Sequence, residues 1–391
     1  MDRALRDIWL LNFSTFFFFL GISVVNPIIS PFAITLEATP FLVGLVAGVA
    51  SVVSLLSKPV GGLIGDRGYK FQAMMAGNVL GMLAGALYIV SALLGNLWIF
   101  AFARAIHGFS MGIFFPSSLS TAVDLAPEGR VGETLGWRGM MFSLGNIIGP
   151  ALGGYLSDII GFVGAFAFTV VFSFIGLALV VPVWRDSRET VGKREERHED
   201  VSYSELLRSY FVAASLALFF FAFSYAGITT YLPALYKVLG MPQRLFGFYM
   251  MVIGMASFIM RLIGGRSADR MGPIPVIRAG MLLIILGYTV LILYRLPPHS
   301  YISALLVGAG FGLSVPAMQL MALGNLPRKI RTMGSSVYTM FFDLGTLGGQ
   351  VVLGYVANLE GYAGVFPLLP FIAAASLIIV HAPRILGGKK K

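Results

Sequence analysis

The stretch GGLIGDRGYK, Gly61 to Lys70, returns 203 residues later as GGRSADRMG, Gly264 to Gly272. In each copy paired glycines precede an Asp-Arg step, and a further glycine follows it. Glycine permits the tight turn and close backbone approach that such a loop needs. The repetition runs outward in both directions. Lys58 matches Arg261 at the same offset. At an offset of 200, Gly108, Gly112 and Pro116 match Gly308, Gly312 and Pro316. Gly145, Gly149, Gly154 and Tyr155 likewise match Gly345, Gly349, Gly354 and Tyr355, while Pro127 and Pro327 open the same loop. A long-period repeat of this kind means two similar structural halves.

Each half is apolar. Of 391 residues 57% are hydrophobic and only 12% charged, and the mean hydropathy is +0.84. Soluble domains run near ~45–50% apolar and ~25% charged, and no soluble fold of this size could hide so much apolar surface. The solvent must be lipid. Forty-seven glycines fit, because small residues let membrane helices approach closely.

A membrane-spanning helix needs about 20 mostly apolar residues. Twelve such segments are expected, near 8–33, 41–64, 71–94, 97–121, 133–157, 161–184, 209–236, 245–265, 274–294, 300–325, 332–357 and 361–382. The polar stretch RDSRETVGKREERHEDVSYSE, Arg185 to Glu205, separates the sixth from the seventh. The expected fold is an all-α membrane protein of twelve transmembrane helices. They form two six-helix pseudo-symmetric halves around a central cavity: residues 1–184, a cytoplasmic linker over 185–207, and residues 208–391. The start, Met1 to Asp7, lacks a small-residue cleavage site before its apolar segment and reads as a retained first helix.

The net charge of +10 would suit a nucleic-acid binder, but its distribution argues otherwise. With both termini cytoplasmic, Lys237, Arg244 and Arg295 face outward and Arg104 falls inside a span; the other 24 of the 28 basic residues lie inside. That asymmetry is the positive-inside rule. It places a multi-pass protein in the cell membrane, with no nucleic-acid partner. Cysteine is absent, and His107, His198, His299 and His381 are scattered without HxxxH or HExxH spacing, so neither a metal nor another cofactor is expected.

The two Asp-Arg loops resemble the cytoplasmic loop signature of the major facilitator superfamily, and three further features agree. Parallel six-helix repeats around a mid-membrane site are that superfamily's architecture. Ala103-Arg104-Ala105-Ile106-His107-Gly108 is similar to its second motif, an intramembrane Arg followed by Gln-Gly, with His107 in place of Gln. GNIIGPALGG, Gly145 to Gly154, fits the motif of its antiporter branch, with Gly145, Gly149, Pro150, Gly153 and Gly154 in register. The loop Pro127 to Glu133 looks similar to that of bacterial and archaeal efflux permeases, and the resemblance spans essentially the whole chain. The first Asp-Arg copy lacks one residue between Arg67 and Gly68, and the second has Pro273 where a basic residue is usual.

The resemblance implies alternating access by rocking halves, in a protein that works as a monomer. Gly62, Asp66, Arg67, Asp269 and Arg270 would form a cytoplasmic gate. Arg104 would serve proton coupling, against a structural role bonded to backbone carbonyls. An Arg within a span costs roughly 2.5–3.5 kcal/mol on insertion scales, so it normally faces a cavity or a partner. His107 lies three residues on, sharing its helix face. It is either a titrating group or a hydrogen-bonding replacement for Gln.

Of eighteen acidic residues, only Asp343 falls deep in an expected span, about twelve residues into the eleventh helix. Its repeat mate is Ser143, so the repeat does not demand an acid there. Intramembrane acids are costly and mark proton relays; the alternative is a buried Asp tied to Arg104 or another donor. Asn26, Tyr225, Tyr231, Gln319 and Tyr338 are the candidates for the substrate cavity. With 32 Phe and 18 Met, a greasy, adaptable pocket follows.

The expected function is proton-coupled efflux of an amphipathic small molecule, with protons and lipid as the other partners. An importer or uniporter of a polar metabolite (sugar, carboxylate or amino acid) is the alternative, and would carry more mid-helix hydrogen-bonding groups. No catalytic cluster or soluble sensor domain supports an enzyme or receptor, and the repeat disfavours a channel. Because the chain lacks cysteine, single replacements report topology cleanly. His198→Cys should react only with reagent reaching the inside, and His299→Cys with impermeant reagent outside; the reverse pattern would overturn the charge argument.

Overall fold

The computed structural model describes residues 3–64, 69–125, 131–187, 207–324 and 331–380. Among these residues the regular structure is entirely helical. In chain order the helices are α1 (Arg3–Val25), α2 (Ile29–Thr35), α3 (Pro40–Ile64), α4 (Lys70–Leu94), α5 (Leu97–Asp124) and α6 (Val131–Ser187). Then come α7 (Ser209–Ala226), α8 (Leu232–Val238), α9 (Arg244–Met271), α10 (Pro273–Leu293), α11 (Ser300–Leu323), α12 (Arg331–Glu360) and α13 (Leu369–Ile379). Asn26–Ile28 joins α1 to α2 as a 3₁₀ turn, and Gly227–Tyr231 joins α7 to α8 as a π turn. Among the described residues, eleven helical stretches are long and apolar enough to cross a membrane. In lipid a helix is the natural solution, because every backbone polar group must find its partner within the segment.

One of the eleven, Trp137–Arg185, has 49 residues, too many for one crossing. It breaks at Gly161, whose backbone lies at φ 73°, ψ 177°. Gly361, 200 residues on, takes φ 74°, ψ 171° at the end of α12. Only glycine adopts that region without strain. The same chain reversal is therefore cut at the same repeat position.

The chain divides into two compact units. Unit 1 comprises Met1–Thr39, Val46–Arg197 and Tyr236–Phe248; unit 2 comprises Pro40–Leu45, His198–Leu235 and Tyr249–Lys391.

In unit 1, α1 lies in a groove of small residues on α6. A Cβ on Gly145 would come 3.0 Å from the Phe16 carbonyl oxygen and the Leu20 nitrogen. At Gly149 it would overlap Ser23, and at Gly153 the Val24 carbonyl. Polar side chains tie the same helices to backbone: Ser14 donates to the Gly176 carbonyl at 2.9 Å and Thr169 to that of Gly21 at 3.1 Å. The α3 backbone packs on Gly108 and Gly112 of α5. Asp158 accepts from the Gln243 and Arg244 backbone N–H groups at 2.8 and 2.9 Å, capping the start of α9. Lys70 and Asp124 pair at 2.7 Å at one end of α4 and α5.

Unit 2 reuses the scheme. Gly345 and Gly349 of α12 meet the carbonyls of Phe219 and Phe223 of α7. Gly308 and Gly312 of α11 meet those of Ile253 and Ser257 of α9. Ser376 donates to the Ala217 carbonyl at 2.7 Å. The antiporter-type glycines thus act as helix-packing residues, and their unit 2 counterparts do the same.

Overpacking a close contact costs roughly 1–3 kcal/mol, more where backbone is struck. Gly153→Val should therefore lower the melting temperature of the detergent-purified protein by many degrees. Gly139→Ala should not lower it, since a Cβ there meets nothing within 4 Å. Equal melting of both variants would refute the groove.

Candidate functional site

Unit 1 holds a buried polar chain. Arg104 on α5 donates to the Ala47 carbonyl of α3 at 3.0 Å and hydrogen bonds the Tyr88 hydroxyl of α4. Tyr88 Oη lies 2.9 Å from His107 Nδ1. His107 is 2% and Arg104 8% exposed, and among the described residues His107 Nε2 and Arg104 Nε have no hydrogen-bond partner. The carbonyl contact expected of a structural Arg104 is present, and His107 is engaged as a hydrogen-bonding group.

A second buried arginine lies on α6. Arg138 donates to Ser118 Oγ at 2.6 Å and to the Phe115 carbonyl at 3.3 Å, with its guanidinium 4.6 Å from the Phe115 ring centroid. Among the described residues it has no acidic partner. Both contacts fall on α5, beside Pro116, so Arg138 fastens α6 to its neighbour.

In unit 2, Asp343 is half-buried near the middle of α12. Tyr338, five residues before it, is buried, and its hydroxyl has no partner. Tyr225 on α7 stacks with Phe221 at 5.7 Å and meets Phe311 of α11 at 5.6 Å. Arg261 of α9 sits over the same Phe311 ring, 5.6 Å from its centroid, within electrostatic reach of Tyr225.

The other candidates scatter. Tyr231 is wholly buried and donates to the Gln350 carbonyl, a packing position. Gln319 is exposed and lines a shallow groove of about 340 Å³ with Pro316, Leu320, Leu323 and Gly324. Asn26 is exposed in the turn after α1. Of the gate residues, Asp66 and Arg67 lie outside the described residues, as do Pro127, His198 and Pro327. Gly62 ends α3 with open space at its Cβ position, Asp269 lies in the last turns of α9, and Arg270 is exposed there. No group of three or more His, Cys, Asp or Glu could hold a metal ion among the described residues.

Tyr88, Arg138 and Arg261 were not legible as site residues. Tyr88 shows no signal of its own, since its partners lie on another helix. The two arginines fall inside expected spans, and only a charge count that assigned them to the cytoplasmic side hid them.

Eleven membrane-length apolar stretches among the described residues, packed at glycine, define a polytopic membrane protein. The chain belongs to the Major Facilitator Superfamily, whose family model matches residues 11–383. It is 24% identical over 388 residues to the uncharacterized MFS-type transporter MJ1560 of Methanocaldococcus jannaschii, covering 97% of each chain. It is 24% identical to the multi-drug resistance efflux pump PmrA of Streptococcus pneumoniae, over 93% of this chain and 91% of that protein. It is 25% identical to the multidrug resistance protein MdtG of Dickeya zeae, over 96% and 93%. Among solved structures, a bacterial homolog of the human lysosomal transporter Spinster, inward-facing and occupied, superposes with a TM-score of 0.78. It is 14% identical and covered to 98% on both sides.

Replacing His107 by Leu leaves the buried Tyr88 hydroxyl without its hydrogen-bond partner on His107, at a cost of about 1–3 kcal/mol. His107→Leu should melt well below wild type, and His107→Gln, which keeps a hydrogen-bonding group, close to it. Indistinguishable melting of wild type and His107→Leu would dismiss the Tyr88–His107 bond.

Proposed function

We propose that the chain is a proton-coupled exporter that exchanges protons for an amphipathic small molecule. In this reading twelve transmembrane helices form two six-helix halves, 1–184 and 208–391, joined by a cytoplasmic linker over 185–207. Both termini are cytoplasmic, the protein sits in the cell membrane, and one chain is the working unit. The two halves alternate in exposing a shared cavity to either side. Gly62, Asp66, Arg67, Asp269 and Arg270 close it toward the cytoplasm.

The observation that carries the proposal is Asp343, half-buried near the middle of α12 where the repeat has Ser143. A carboxylate at such a depth is costly unless used, and its charge changes by one unit with each proton. Substrate binding and the movement of that proton are then tied through one group, which is the minimum for exchange. A ligand shifts an alternating equilibrium only by its differential affinity for the two states, and Asp343 supplies a difference that depends on protonation. Arg104, in the polar chain of unit 1, is the second coupling group and His107 the third. The glycine groove built by Gly145, Gly149 and Gly153 supports the efflux reading, as do relatives named as multidrug efflux proteins.

Asp343→Asn keeps the size and hydrogen bonding of the side chain but cannot ionise. In proteoliposomes with an interior pH dye it should fold and bind a transported dye yet move no protons against it. Ligand affinity should lose its dependence on pH. Arg104→Gln should slow the same step, and Ser143→Asn should be mild. Full proton-coupled exchange by Asp343→Asn would sink the mechanism, leaving His107 as carrier or uniport as the account.

A further inference from the structure

We infer that Arg261, with Phe311 and Tyr225, forms the subsite for the anionic group of the substrate, so that the preferred substrates are amphipathic organic anions. The inference rests on the amphipathic-substrate reading above, and not on the direction of transport or on the coupling ion.

Arg261 belongs to an expected span, within the stretch Arg244–Gly265 of α9. Arginine inside a membrane faces a cavity or a partner, because lipid does not solvate it. Among the described residues this one has neither a carboxylate nor a hydrogen bond, and its contact is the face of Phe311. Arg261 is half-buried. Arg138 and Arg104 differ on this point, since both are buried and both donate to carbonyl or hydroxyl oxygens.

The surroundings define the rest of the ligand. Phe221 and Tyr225 lie four residues apart on one face of α7, their rings stacked, and Phe311 meets both at 5.1 and 5.6 Å. The Tyr225 hydroxyl lies within electrostatic reach of the guanidinium. One turn beyond Arg261, on the same face of α9, Gly265 has nothing within 4 Å of its Cβ position. A planar guanidinium matches a carboxylate through two parallel N–H bonds. The Tyr225 and Phe311 rings, backed by the buried Phe221 ring, offer an apolar wall for an aromatic or alkyl body. A neutral or cationic amphiphile would use the wall and leave the fork unpaired.

The test uses the full-length protein in nanodiscs of zwitterionic lipid, with 2-naphthoate and its neutral counterpart 2-naphthamide as probes in equilibrium binding. Wild type should bind naphthoate at least about tenfold more tightly than naphthamide, a gap of one decade in Kd. Arg261→Gln should erase the gap, and Arg261→Lys, which keeps the charge but loses the fork, should retain only part of it. Phe311→Ala should weaken both probes to a similar degree. If Arg261→Gln does not fold, Arg261→Lys and Phe311→Ala still decide the matter. A wild type without preference, or an Arg261→Gln or Arg261→Lys protein with the full preference, overturns the assignment. So does a wild-type preference that vanishes when anionic lipid is added, because the fork would then hold a lipid phosphate. Binding is read without a proton gradient, so failure of the Asp343 mechanism leaves this result standing, and the converse.

Discussion

Helices in a bilayer gain nothing by hiding apolar surface from lipid, so their association depends on how closely their backbones can approach. In this chain that approach is made at glycine. Gly145, Gly149 and Gly153 bring α6 onto the carbonyls and nitrogens of α1, and Gly345 and Gly349 bring α12 onto α7. Gly108 and Gly112 do the same for α5 against α3, and Gly308 and Gly312 for α11 against α9. Backbone-to-backbone contact leaves no flexible side chain to yield, so each such seam is stiff. Serine and threonine hydroxyls bonding to carbonyls across helices add direction to it. A unit assembled this way is stiff within itself.

Most of this packing could be read from the sequence, because it is periodic. The offset near 200, the four-residue glycine spacing and the run of apolar segments all follow from one duplicated helix arrangement, and helix packing leaves a mark at every turn. The breaks were harder. Gly161 and Gly361 share a left-handed conformation at matching positions, yet each is one glycine among 47 and carries no local signature. The π turn after α7 likewise replaces what reads as one continuous helix.

The site was less legible than the fold, for a different reason. Arg104 and His107 share a helix face, so their association follows from spacing alone. Tyr88, nineteen residues before His107 on another helix, could be found only in three dimensions. Tyr231 was chosen as an aromatic with a polar tip, but that tip is spent on the Gln350 carbonyl. Tyr225 was chosen on the same ground, and it sits beside a cation. Residue type gave the two tyrosines equal standing, and the partner of each hydroxyl separates them.

The three span arginines show how the cost of an intramembrane cation is met in different ways. On insertion scales an arginine costs roughly 2.5–3.5 kcal/mol at the centre of a helix, and less for Arg138 and Arg261, which lie about a turn or less from the ends of their apolar stretches. Arg104 offsets it with a carbonyl and a tyrosine hydroxyl, Arg138 with a serine hydroxyl, a carbonyl and a ring face. Those bonds join α5 to α3 and α4, and α6 to α5, so the charges are committed to holding unit 1 together. Arg261 is held by a ring face alone. A cation–π contact is worth about 0.5–2 kcal/mol and uses none of the N–H groups, so hydrogen-bonding capacity is left over. A structural cation consumes its donors, whereas a binding cation keeps them. By that criterion the cation in unit 2 is the one equipped to meet a ligand, whereas the bonded Arg104 can act on coupling only through the polar chain it belongs to.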